Sequence, residues 1–128
     1  MAKRKSAQTK ASPAKLRKFA LSLPEATEGT SCNKATFKAG AKNFFFLGEQ
    51  SGPGPGGFTT MIKLTEAESL AEAKKLSKSQ PDRYSLGTNG WLSGTFSKGE
   101  GPPTKMFQGW IEESYRALAP KKLVAQLG

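Results

Sequence analysis

The segment from Thr36 to Lys63 sets the tightest limits on how this chain can fold. It opens Thr36-Phe37-Lys38-Ala39, breaks at Gly40 and resumes as Lys42-Asn43-Phe44-Phe45-Phe46-Leu47. A Gly- and Pro-rich stretch from Gly48 to Gly57 follows, and then Phe58-Thr59-Thr60-Met61-Ile62-Lys63. Aromatic and β-branched side chains pack well across a pleated surface, and Gly and Pro between such runs mark turns. The segment therefore predicts an antiparallel meander with the long helices resting on one face. Strand alternation sends Phe44 and Phe46 one way and Phe45 and Leu47 the other. Since both sides are apolar, the middle strand reads as central, with some cover on each side. Its aromatics read as core, with an exposed base-stacking platform as the competing reading. Gly40-Ala41 suits a tight hairpin. Glu49 to Gly57 reads as a mobile hairpin tip, or a wing if nucleic acid binds. Its Gly-x-Gly character lacks the Gly-Lys-Ser/Thr ending of a phosphate loop.

Helices flank this core. Ser12-Pro13 predicts a helix start, with Ser capping free N–H groups and Pro fitting the first turn. Leu16, Phe19, Ala20 and Leu23 follow at one-face spacing, and Pro24 closes the element. Glu25, Glu28 and Gly29 fall in a connection, with Thr30 to Cys32 as a short strand or lead-in. Thr65 with Glu68 three residues on predicts a capping box, and Ala67, Leu70, Ala73 and Leu76 give the second helix its stripe. Lys74, Lys75 and Lys78 read as its solvated face. Arg83 to Leu86 and Trp91 to Phe96 are strand candidates. A last helix from about Thr104 carries Phe107, Ile111, Ser114 and Leu118 inward, flanked by Trp110 and Tyr115, and ends at Pro120.

Charge is the next constraint. The 128 residues carry 20 basic and 10 acidic side chains, a formal charge of +10. Such a surface attracts nucleic acid, acidic lipid or acidic protein. Lys3, Arg4, Lys5, Lys10, Lys15, Arg17 and Lys18 all precede the first acid, Glu25. Residues 1–11 accordingly read as a flexible basic arm and 12–128 as the folded domain. The length favours a single domain able to bury a core. No run of residues is apolar and long enough for a membrane span, and the basic N-terminus lacks the apolar centre of a secretory signal. A single cysteine, Cys32, excludes an internal disulfide and mildly favours a reducing compartment, so a cytoplasmic location is expected.

Chemistry-bearing constellations are sparse. With no histidine in the chain, Ser-His-acid and Cys-His arrangements as normally built are excluded. One thiol cannot furnish a thiol-rich zinc site, and Cys32 reads as a small, partly buried hydrophobe. Glu25 and Glu28 have no evident cleft to work across, and adjacent Glu112 and Glu113 cannot share one helix surface. Neither a metal nor a cofactor is called for, and an enzyme is disfavoured. The nucleic-acid reading has more behind it: the arm would meet phosphates, a hairpin tip such as Ser51 to Gly57 would enter or cross a groove, and Arg83, Lys98 and Lys105 would add contacts. Phosphate contacts of this kind position the protein and carry little sequence information.

Two runs carry a family likeness, Leu21-Ser22-Leu23-Pro24-Glu25-Ala26-Thr27-Glu28-Gly29-Thr30-Ser31 and Phe37-Lys38-Ala39-Gly40-Ala41-Lys42-Asn43-Phe44. Gly90-Trp91 and Glu113-Ser114-Tyr115-Arg116-Ala117-Leu118-Ala119-Pro120-Lys121-Lys122-Leu123 follow in order. Over about residues 16–127 the chain resembles the MmcQ/YjbR-like family. The resemblance implies a compact α/β fold, sometimes described as a double wing, and a DNA-binding label that rests on shape. It carries over no catalytic residue. The expectation is thus an α+β, two-layer domain, an antiparallel sheet packed with helices, that binds double-stranded DNA with little sequence preference. The alternative is a protein-interaction or small-ligand module, with Trp91, Tyr115 and Arg116 lining its pocket.

Overall fold

Ser12 and Pro13 begin the first helix as their chemistry dictates. In the computed structural model, which describes residues 10–31 and 33–127, helix α1 runs Pro13–Leu21 and the Ser12 hydroxyl accepts from the Lys15 amide at 3.3 Å. Strands β1 (Thr27–Ser31), β2 (Lys34–Ala39), β3 (Lys42–Glu49) and β4 (Phe58–Lys63) follow. Helix α2 (Ala67–Ser79), strands β5 (Tyr84–Leu86) and β6 (Trp91–Phe96), helix α3 (Thr104–Leu118) and a short helix α4 (Lys121–Val124) complete the chain. The strands make one antiparallel sheet in the order β1-β2-β3-β4-β6-β5. Cys32 and the basic residues Lys3, Arg4 and Lys5 lie outside the described residues.

The predicted meander is present as β2, β3 and β4, with Gly40 at φ +73° turning the first hairpin. The short strand or lead-in suggested at Thr30 to Cys32 is a strand that begins earlier, at Thr27, in what read as connection. Thr27-Glu28-Gly29-Thr30-Ser31 is β1, exposed at every position. An edge strand with no buried side chain has none of the apolar alternation that announces a strand.

The helices cover only one face of the sheet. Phe58, Thr60 and Ile62 of β4 are buried while Thr59, Met61 and Lys63 are half-exposed. In β6, Leu92, Gly94 and Phe96 are buried while Trp91, Ser93 and Thr95 are not. Among the described residues the expected cover on both sides of β3 is therefore absent, and a register shift between Phe37 and Lys38 explains how its aromatics are still housed. Phe37 pairs with Phe45 but Lys38 pairs with Asn43, so Phe44 is an extra residue on β3. Such a bulge breaks strict alternation. Phe44 consequently joins Phe45 and Leu47 on the helix side. It meets Tyr115 of α3 edge-on at 5.1 Å, Phe37 stacks on Phe45 at 5.3 Å, and all are fully buried. Phe46 alone faces away.

Helix α3 is anchored by two adjacent residues, one to the sheet and one to the connection that leads into β1. The Ser114 hydroxyl donates to the Phe44 carbonyl at 2.6 Å and accepts from the Lys63 amide at 3.1 Å. Beyond the last β3–β4 pair, Phe45 with Ile62, it takes the place of the next rung of the ladder. The Tyr115 hydroxyl donates to the Pro24 carbonyl at 2.6 Å.

Burial raises the pKa of Tyr115 above the ordinary 10.0, with nearby Glu25 adding to it, and burial likewise raises Tyr84. Below pH about 10 both phenols are neutral in the folded and unfolded chain alike, so their stabilising contacts are intact. As pH climbs through the raised folded values, the unfolded state loses its protons first and stability falls. An ultraviolet titration should find tyrosinate appearing above pH 10 and together with loss of circular dichroism. Two phenols ionising normally in folded protein would contradict this.

The capping box predicted at Thr65 and Glu68 is replaced by a distant carboxylate. Glu66 is the N-cap residue of α2 and its side chain makes no capping bond. Instead Glu113 of α3 accepts from the Thr65 and Glu66 amides at 2.6 and 2.8 Å and from the Ser69 hydroxyl at 2.5 Å. Glu113→Ala should cost about 1–2 kcal/mol, the upper range for a lost cap, read as a lower melting temperature. Glu113→Gln, which keeps an acceptor oxygen, should recover part of it.

Candidate nucleic-acid interface

Arginine and lysine are used differently in this fold. Arg17 of α1 bonds Glu28 of β1 at 3.3 Å and Glu49 of β3 at 2.6 Å. Arg83 bonds the Glu100 carboxylate at 2.5 Å and the Glu100 carbonyl at 3.1 Å. Arg116 bonds Glu112 one turn earlier at 2.9 Å. The planar guanidinium fork suits such clips, each contributing at most about 1 kcal/mol at the surface. Arg17 and Arg83, expected from the sequence as phosphate contacts, are thus engaged within the molecule. Charge counting along a chain cannot reveal this, because Arg17 and Glu49 are 32 residues apart. Among the described residues, no lysine is ion-paired.

Three of these lysines gather at one end of the sheet. Lys10 bridges to Pro103 and the Ala11 amide donates to the Pro102 carbonyl at 2.7 Å, with Ala11 buried. Residues 10 and 11 are therefore part of the domain, and any free arm stops before them. This bridge sets Lys10 beside the start of α3, two residues before Lys105. The Lys98 stem lies over Gly56, so close that an added Cβ there would sit 2.8 Å from Lys98 Cδ. The Gly/Pro loop itself is folded back rather than extended: Ser51 Oγ donates to the Gly48 carbonyl at 2.5 Å, and the Gly56 amide donates to Gln50 Oε1 at 3.2 Å. Lys15 and Lys18 of α1, with Phe19, Ser22 and Gln108, line a groove of about 300 Å³ between α1 and α3 that has no carboxylate in its walls. Gln108 was not foreseen; as the polar neighbour of buried Phe107 it carries no signal of its own.

Trp91, Tyr115 and Arg116 do not come together as a pocket. Tyr115 is fully buried with its hydroxyl engaged. Trp91 is on the helix-free face, ring to ring with Phe46 at 5.8 Å. Arg116 lines a cleft of about 420 Å³ with Glu66, Glu112 and Glu113, acids that mostly serve as helix cap and ion-pair partner. A second cleft of about 660 Å³ lies between α2 and the β5–β6 turn, lined by Lys63, Leu70, Lys74, Thr88 and Asn89 among others. Among the described residues no group of three or more His, Cys, Asp or Glu is placed to hold a metal ion, and no helix is long and apolar enough to cross a membrane. The arrangement suits electrostatic binding of an anion-rich surface.

No protein-family model matches the sequence, and no curated protein matches it significantly. The fold does have a solved counterpart. The crystal structure of Deinococcus radiodurans protein DR2400, a DUF419 domain, superposes with a TM-score of 0.66. The alignment covers 94% of this chain and 91% of that one, at 17% identity. At that identity the likeness establishes the fold alone.

Proposed function

We propose that this protein is a non-enzymatic binder of double-stranded DNA that grips the phosphate backbone with little regard to sequence. The observation that carries the reading is the lysine-rich end, where among the described residues Lys10, Lys98 and Lys105 have no ion-pair partner; Lys3, Arg4 and Lys5 precede Lys10 in the sequence and add to its basic character. The carboxylate-free groove of Lys15 and Lys18 continues it. The resemblance to the MmcQ/YjbR-like proteins, relatives of the DUF419 group, supports the same reading, and the double-wing description belongs with it. The rival pocket of Trp91, Tyr115 and Arg116 has lost its geometric basis.

Each neutralised phosphate releases counterions, so log K falls with log salt at about 0.9 per contact. In titrations of a mixed-sequence duplex, the variant Lys15→Ala/Lys18→Ala/Lys105→Ala should shallow that slope by roughly 3. Removing residues 1–9, with three basic side chains, should shallow it by a similar amount. Affinity and slope unchanged by both alterations would reject the reading.

A further inference from the structure

We infer that the helix-free face of the sheet is a second site, separate from the lysine-rich end, which binds single-stranded nucleic acid by stacking unpaired bases on Trp91 and Phe46. Phe46, Met61 and Trp91, each partly buried, form an apolar patch on that face across the neighbouring strands β3, β4 and β6, with Trp91 at the first residue of its strand. The Phe46 and Trp91 rings meet at 66°. Among the described residues no layer covers them, whereas the buried aromatics of the sheet have helical or sheet partners on the opposite side.

What surrounds the patch selects the ligand. Register places Thr36, Lys38, Thr59, Lys63, Ser93 and Thr95 on the same side. Among the described residues this face holds no carboxylate, because Glu28 and Glu49 turn to the helix side and bond Arg17 there. Lys38 is exposed, and Lys63 commits one proton to the Asn89 carbonyl, leaving two of its three free. A positive rim asks for an anion, and partly exposed aromatic rings ask for flat apolar faces. A duplex hides its base faces within its own stack and offers this patch nothing. A single strand presents bases and phosphates together, and base–aromatic stacking tolerates any sequence. The hydroxyls of Ser93 and Thr95 can meet base edges or sugar, while that of Thr59 is hydrogen-bonded to Ser51 Oγ at 2.7 Å. Six strands about 4.8 Å apart give a face about 24 Å across, room for a short run of nucleotides.

The test uses the full chain with three probes: an oligothymidylate, an oligouridylate and a mixed-sequence duplex. Trp110 is buried at 6% exposure, so tryptophan quenching reports mainly on Trp91. Quenching by either single strand is the expected result, and the two arms tell DNA from RNA. Trp91→Ala and Phe46→Ala should each weaken single-strand binding about 5- to 100-fold and change duplex binding less than twofold. Trp91→Phe, which keeps a ring, should retain most single-strand affinity, and Lys38→Glu should reduce it in a folded protein. Absence of binding to both single strands overturns the inference. So does binding that survives both alanine substitutions, or a parallel loss of duplex binding. The duplex reading fails independently, through the lysine variants at the other end.

Discussion

Phe44→Ala is expected to destabilise the protein by about 3–5 kcal/mol, the usual cost of emptying a phenylalanine site in a core. Phe46→Ala, two residues along the same strand, should cost only about 1 kcal/mol. Simple alternation would give the two positions one environment. The bulge separates them: Phe44 is fully buried against Tyr115, while Phe46 is half-exposed beside Trp91. Denaturant unfolding of the two variants, compared with Phe45→Ala as a second core position, measures the contrast directly. Equal losses at 44 and 46 would mean that β3 alternates regularly and that the bulge is not where the register places it.

Ser114→Ala should cost about 2–4 kcal/mol, far more than a serine to alanine change on a helix normally does. The hydroxyl has no exposure and serves two backbone groups at once, the Phe44 carbonyl and the Lys63 amide. Removing it strands both groups, at about 1–3 kcal/mol for each one left unsatisfied in the interior. Helix propensity favours alanine by only a few tenths of a kcal/mol, so the sign is set by the lost bonds. A fall in melting temperature on the order of 10 °C should follow. Ser114→Thr, which keeps the hydroxyl but adds a methyl in a closed site, should fall between. A melting temperature within a degree or two of the parent for Ser114→Ala would show that neither bond contributes.

These two residues also mark where sequence reading succeeds and stops. The helical stripe of α3 was legible because Phe107, Ile111 and Ser114 recur at the period of a helix. The capped start of α1 and the β2–β3–β4 meander were legible for equally local reasons. That Ser114 substitutes for a rung of the sheet was not, because its partners lie 51 and 70 residues away. The same distance hides Glu113, which displaced an apparently sound local capping box. Within the candidate interface, the richness in basic residues was visible, but the division between clipped arginines and unpaired lysines was not. Nor was the one-sided cover of the sheet, since a triple phenylalanine looks apolar on both faces until an extra residue turns one ring around.

The late position of α3 bears on how the chain emerges from the ribosome. Synthesis runs from the N-terminus, and all six strands precede Thr104. Their antiparallel hairpins can pair as soon as they leave the exit tunnel, apart from the longer step across α2 from β4 to β6. Yet Phe37, Phe44, Phe45, Leu47 and Ile62 then wait, with their apolar sides bare, for residues 104–118 to arrive and seal them. During that interval the nascent sheet is a sticky surface, the kind of transient exposure that chaperones exist to shield. A stall or a premature stop just before α3 would leave every strand made and the largest helix of the lid missing.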